Sequence, residues 1–195
     1  MPEEILPWQV LLIGGPSGVG KTSVSYPLAR RFGVAITEVD DMHITALRLT
    51  TPEQQPVLHY WFTHPEAVEL PPEKILKLHV DVCRVLQPAV RAVIENHLET
   101  QTPVVLDGDY ILPEILARDR WRGRVRGVIL YELDEDAILR NFAARELLAG
   151  QQTKRAHVSR LHGEWLREEC ERYGVPAVPA RPWDTAVDRV IAAAS

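Results

Sequence analysis

Cysteine is scarce in this chain: Cys83 and Cys170 are the only two among 195 residues. Both lie in stretches with helical patterning, which predicts free thiols in a reducing cytosol rather than a disulfide framework. Zinc-type spacing is missing as well. The seven histidines lack Cys or acid partners at ligand spacing, the nearest approaches being His79 with Cys83 and His157 with His162. Positive charge is in deficit, with 22 Lys and Arg against 27 Asp and Glu, for a formal net charge of −5. That balance supplies no general attraction to nucleic acid or an anionic membrane, so any basic site is local. No apolar run approaches membrane-spanning length. The N-terminal MPEEILPWQV carries acids where a secretion signal carries a basic segment and a long apolar core. Internal repeats and low-complexity segments are absent too. The expectation is one cytoplasmic domain, monomeric or homodimeric, whose partner is a small molecule and neither nucleic acid nor membrane.

What the chain does have is a glycine-rich stretch from Val10 to Thr22, VLLIGGPSGVGKT. Gly15, Gly20, Lys21 and Thr22 fit G-x-x-x-x-G-K-[ST], the P-loop pattern, directly after an apolar run that reads as a strand. The glycines let successive backbone N–H groups turn inward, and the following helix presents its positive end to a phosphate chain. Pro16, Ser17, Gly18, Val19 and Ser23 complete the nucleotide-binding stretch. Lys21 would reach the β- and γ-phosphates of ATP, and the Thr22 hydroxyl would ligate Mg²⁺. The glycines do not fall as G-x-G-x-x-G, so a dinucleotide fingerprint fits poorly.

Periodicity organises the rest around this loop. Residues 9–13 read as a buried strand and 20–32 as a helix closed by Gly33, with Pro27 an anomaly inside it. Residues 34–39 form a second strand running into Asp40 and Asp41, and 103–106 a third running into Asp107, Gly108 and Asp109. In an open α/β sheet ligands bind beyond the carboxyl ends of the strands, so both acidic pairs share the edge occupied by the P-loop. Between these strands lies an insertion, about 42–102, with helical segments at 44–49, 52–62 and 72–98, the last interrupted at Pro88. Its aromatics, His59, Tyr60, Trp61, Phe62 and His64, read as core ahead of a pocket wall. Residues 118–127 form a basic connector to a fourth strand, 125–131. A helix capped by Asp134 runs to Leu148, a break follows at 150–153, and another helix runs from Lys154 to Tyr173. A fifth strand, 175–178, precedes a C-terminal helix. This alternation predicts an α/β fold: a three-layer, doubly wound, five-stranded parallel sheet.

The chemistry such a loop serves is phosphoryl transfer, which needs position and positive charge around the moving group. Arg140, Arg145, Lys154, Arg155 and Arg160 flank the break near Gly150, where a lid at about 146–160 would hinge. A carboxylate must also take or orient the acceptor hydroxyl proton; Asp40 or Asp41 fits by position. Asp107 or Asp109 would hold the metal or the acceptor, and strand alternation does not order either pair.

GGPSGVGKT, VDD at 39–41, VVLDGDYILP at 104–113 and the arginines after YELDED together resemble the P-loop small-molecule kinases, and within them the 2-phosphoglycerate kinase group. The resemblance implies a substrate-binding insertion after the second strand and a lid after the fourth. It implies catalytic roles among Lys21, Asp40, Asp41, Arg140, Arg145 and Arg155, with Thr22 and Asp107 at the metal. It further implies adenine contact at Arg181, Pro182 and Trp183, and acceptor contact at Asp41, His43, Asp109 and Tyr110. The expected activity is ATP-dependent transfer to a small hydroxylated metabolite, anionic ones included. A nucleoside or nucleotide kinase is the alternative. A switch or motor-type ATPase is disfavoured, because no N-K-x-D is present and Gly108, not Glu, follows Asp107.

Overall fold

Five short apolar segments pair into one all-parallel sheet in the order β2-β3-β1-β4-β5. A computed structural model describes residues 6–117, 121, 123–147, 150 and 152–195. The strands are β1 (Val10–Gly14), β2 (Ala35–Glu38), β3 (Val104–Gly108), β4 (Val125–Tyr131) and β5 (Ala177–Pro179). The helices are α1 (Thr22–Phe32), α2 (Val39–Leu49), α3 (Pro56–Thr63), α4 (Pro72–Glu99), α5 (Glu135–Arg145), α6 (Thr153–Tyr173) and α7 (Ala186–Ala193).

Side-chain alternation builds two cores, one on each face of the sheet. Val10, Leu12, Val104, Leu106 and Ile129 face α4 and α6, meeting Cys83, Val90, Ile94, Leu166 and Cys170. Leu11, Ile13, Val105, Val128 and Leu130 face α1 and α7, meeting Val24, Leu28, Ala186 and Val190. Every residue of β1 and β3 is buried, as expected of central parallel strands. β2 is the exposed edge. The β1–β3 register sets Ile13 beside Asp107 and Gly14 beside Gly108, so the P-loop and the acidic end of β3 leave the sheet side by side.

Three expectations shift. Asp40 and Asp41 do not end a strand: β2 stops at Glu38, and both acids occupy the first turn of α2, where negative charge suits the helix dipole. α4 runs through Pro88 without the expected break. Its Cys83, Val90 and Ile94 are locked in the core, and the Gln87 amide donates to the Cys83 carbonyl at 3.0 Å, so packing overrides local propensity. The aromatic run of α3 is mostly not core. Leu58 and His59 are buried, whereas Phe62 is 68% exposed. Elsewhere Gly33 and Gly174 close α1 and α6 in the left-handed conformation. Asp134 caps α5 by accepting from the Asp136 and Ala137 N–H groups. Both cysteines are free and buried, which pushes their thiols up, Cys170 to about 12. No helix among the described residues is long and apolar enough to cross a membrane.

Candidate active site at the P-loop

The loop between β1 and α1 depends on two of its glycines. Gly15 has φ 143°, and a Cβ there would overlap the Leu130 carbonyl oxygen of β4. Gly20, at φ 90°, lies under the Trp183 ring, which leaves no room for a side chain. The first turn of α1 closes onto the loop: the Ser23 N–H donates to the Gly20 carbonyl at 3.0 Å, and the Val24 and Ser25 N–H groups donate to the Lys21 carbonyl at 2.8 Å. Lys21 is only 7% exposed. Its ammonium donates to the Pro16 carbonyl at 2.9 Å and pairs with the Asp109 carboxylate.

The end of β3 supplies two carboxylates with opposite electrostatics. Asp107 is buried; its Oδ2 accepts from the Ser25 hydroxyl at 2.7 Å and the Thr22 hydroxyl at 3.4 Å. Burial raises its pKa, against the opposing pull of Lys21 and the Ser25 hydrogen bond. Burial works to raise Asp109 too, but the Lys21 ion pair and hydrogen bond hold it below the ordinary carboxylate range.

Asp40 comes from the first turn of α2. The residue as a whole is exposed, but its carboxyl turns inward over Gly108, where a Cβ would lie 3.3 Å from Oδ2. Desolvation, then the charges of Asp109 and Asp107 against that of Lys21, raises its pKa to about 6. Asp41 is exposed. His43, on the same helix, meets the Tyr110 hydroxyl at 2.9 Å through Nδ1. Burial lowers the His43 pKa and raises that of Tyr110.

A space of about 560 Å³ opens beside this centre, lined by Gly18, Gly20, Lys21, Thr22, Asn141, Arg145 and Trp183 among others. No known protein-family profile matches the chain. Over 93% of its length the chain is 26% identical to 2-phosphoglycerate kinase of Methanothermobacter thermautotrophicus, and it spans 64% of that relative. A solved gluconokinase from Sinorhizobium meliloti 1021 superposes with TM-score 0.55 at 20% identity, covering 96% of this chain and 91% of its own. A shikimate kinase from Acinetobacter baumannii, in complex with shikimate, superposes with TM-score 0.53 at 17% identity, covering 95% and 93%. The chain shares the fold of these P-loop kinase structures, and its sequence likeness to the curated kinase runs over nearly its whole length.

The arginines of this P-loop chain sort clearly. Arg155, at the start of α6, donates to the Ser17 hydroxyl at 3.3 Å and lies 4.2 Å over the Phe142 ring, while Glu146 holds it at 2.8 Å. Arg145 lines the 560 Å³ space and also pairs with Glu146, at 2.7 Å. Arg140 stands apart, 3.7 Å from Asp134, and Arg160 is tied to Glu135 and Glu164. Lys154 reaches across to the insertion, donating to the Val68 carbonyl at 2.7 Å. Arg181 pairs with Glu132 at 3.0 Å and Pro182 accepts from Arg189, which leaves Trp183 as the member of that trio against the loop. The expected lid at 146–160 lies partly outside the described residues, as does the connector around 118–122.

Several contributors carry no motif. Asn141 donates to the Gly18 carbonyl and Ser159 to the Ser17 carbonyl, each at 2.7 Å, bracing the loop from α5 and α6. Ser25, one turn past Thr22 on α1, is the only one a helical wheel drawn from the motif would have found. Asp107 Oδ1 is buried with no hydrogen-bond partner among the described residues. That free oxygen beside the Thr22 hydroxyl fits a carboxylate that meets Mg²⁺ through water. Among the described residues no group of three His, Cys, Asp or Glu stands ready to hold a metal alone, so the ion would share its ligands with a phosphate chain.

Proposed function

We propose that this chain is an ATP-dependent phosphotransferase that moves the γ-phosphoryl group onto a hydroxyl of a small metabolite. The observation that carries the reading is the inward-turned Asp40 carboxyl, raised to about 6, facing the end of β3 beside the P-loop lysine. A carboxylate so tuned is a base near neutral pH, which a nucleotide-binding switch does not need. Asp40 accepts the acceptor's proton as its oxygen bonds to the γ-phosphorus, while the bond from that phosphorus to the β,γ-bridging oxygen breaks. Lys21 exchanges Asp109 for phosphate oxygens, and Arg155 and Arg145 add charge from the lid side. Thr22 and Asp107 are the residues that would hold Mg²⁺, whose positive charge would be supplied beside the phosphates. Trp183 covers Gly20 and bounds the nucleotide, and the insertion α2–α4 walls the acceptor.

The names of the relatives supply candidate acceptors: 2-phosphoglycerate, gluconate and shikimate. The deciding experiment is a labelled-ATP screen of these and of nucleosides and sugars, with Lys21→Ala as control. Stoichiometric transfer to one compound supports the reading. ATP hydrolysis with no acceptor better than water returns the chain to the switch or ATPase class, and a nucleoside acceptor returns it to the nucleoside kinases.

A further inference from the structure

The acceptor side of this site is rich in negative charge and in uncharged imidazole. We infer that the chain selects a hydroxylated acceptor lacking negative charge, with amine-bearing compounds preferred over neutral polyols and both over carboxylates or phosphates. The inference rests on the kinase reading above and names the substrate class of that same site.

Three observations carry it. First, the charges acting on the inward carboxyl of Asp40 are those of Asp109, Asp107 and Glu38 on one side and Lys21 on the other. Lys21 and the lid arginines serve the donor phosphates once ATP is bound, so they do not remain for a second anion. Two arginines of the insertion, Arg84 and Arg48, stand elsewhere. Arg84 lies 3.6 Å from Asp81, and Arg48 lines an apolar cavity of about 460 Å³ with Ile44, Leu47 and Phe62.

Second, the histidines beside Tyr110 do not replace the missing cations. His79 lies tilted at 5.4 Å from the Tyr110 ring and hydrogen-bonds the Asp109 backbone, and His43 lies 4.7 Å from the same ring. Burial disfavours protonation of both, so each presents a neutral ring. Third, the Nε2 atoms of His43, His79 and the 3% exposed His162 are buried with no hydrogen-bond partner among the described residues. At His79 the ring N–H is taken by the Asp109 backbone, so its neutral Nε2 accepts, from a hydroxyl or an ammonium N–H. A carboxylate, which only accepts, satisfies neither an unprotonated nitrogen nor the neighbouring aspartates.

The test uses acceptors matched in shape and differing in charge, with the full chain and Mg·ATP at pH 7. One series is gluconate, glucose and glucosamine. The other is glycerate, glycerol and 2-amino-1,3-propanediol, with 2-phosphoglycerate added. Within a series that is phosphorylated, kcat/KM should rise from anion to neutral to cation, by on the order of tenfold or more end to end at low ionic strength. The spread should narrow in ~0.5 M salt, since Asp40 belongs to an exposed residue that ions can approach. A preference for the anionic member, or no discrimination, overturns this inference and leaves the kinase reading standing. Transfer to none of the panel, with ATP hydrolysis alone, overturns both.

Discussion

Lys21 is oriented by partners that ATP must displace. Pro16 fixes its ammonium to the loop, and Asp109 supplies the negative charge a phosphate would bring. Removing that charge removes stabilisation that grows in the transition state, so Lys21→Ala should lower kcat by on the order of 10²–10³. The melting transition should remain cooperative; near-normal turnover would contradict the assigned role. Asp40 gives a second test at this scale. A base with pKa about 6 works ionised, so kcat/KM should climb as pH rises through that value and level above it. Asp40→Asn should flatten the climb and reduce kcat by roughly 10²–10⁴, and a loss of ATP affinity alone would contradict the assignment.

At the scale of elements, what was legible followed local chemistry, and what was not depended on packing between distant segments. The P-loop, the capping of α5 by Asp134 and the closing glycines of α1 and α6 are written in adjacent residues. The start of α2 is not: a strand and a helix both tolerate Val39, and only the pairing of Glu38 with Asp107 across the sheet shows where the strand ends. Pro88 looked like a break because its removal of one helical hydrogen bond is local, whereas the core contacts that hold α4 straight are not. The histidine cluster was invisible for the same reason. His79 of α4 and His162 of α6 meet at 4.8 Å only because both helices cover one face of the sheet. Burial lowers both pKa values, with the charges of His79 and Lys21 adding to it at His162 and Asp109 partly opposing at His79. A histidine that protonates less readily folded than unfolded contributes stability above its ordinary value of about 6.5. That contribution is lost as pH falls below it. Lys21, Asp109, Tyr110 and Trp165 also face the pair, so the slope should be read as a difference between proteins. The Tm should fall between pH 7 and 5, and His162→Phe should reduce that fall; an unchanged slope would show that His162 does not carry it.

For the whole molecule, the strand order places β1 centrally, with β3 and β2 leading to the insertion α2–α4 and β4 and β5 leading to α5, α6 and Trp183. A nucleotide seated on the P-loop as proposed would meet elements from both halves of the sheet: α1, the end of β3, α5, α6 and the segment after β5. Binding to the folded chain alone must raise its stability, by about 2.7 kcal/mol at a hundredfold excess over Kd. In a chain of this size about 2–4 °C accompanies each kcal/mol, so Mg·ATP without any acceptor should raise Tm by roughly 5–10 °C. Lys21→Ala should lose most of this shift through charge. Trp183→Ala should lose part of it through contact, raising KM for ATP with kcat little changed, because the ring covers Gly20 and lies away from Asp40 and Asp109. The two variants thus separate holding the nucleotide from moving its phosphate. If Mg·ATP produced no shift in the unaltered chain, the P-loop would not be a donor site, and the order of the sheet would have to serve some other ligand.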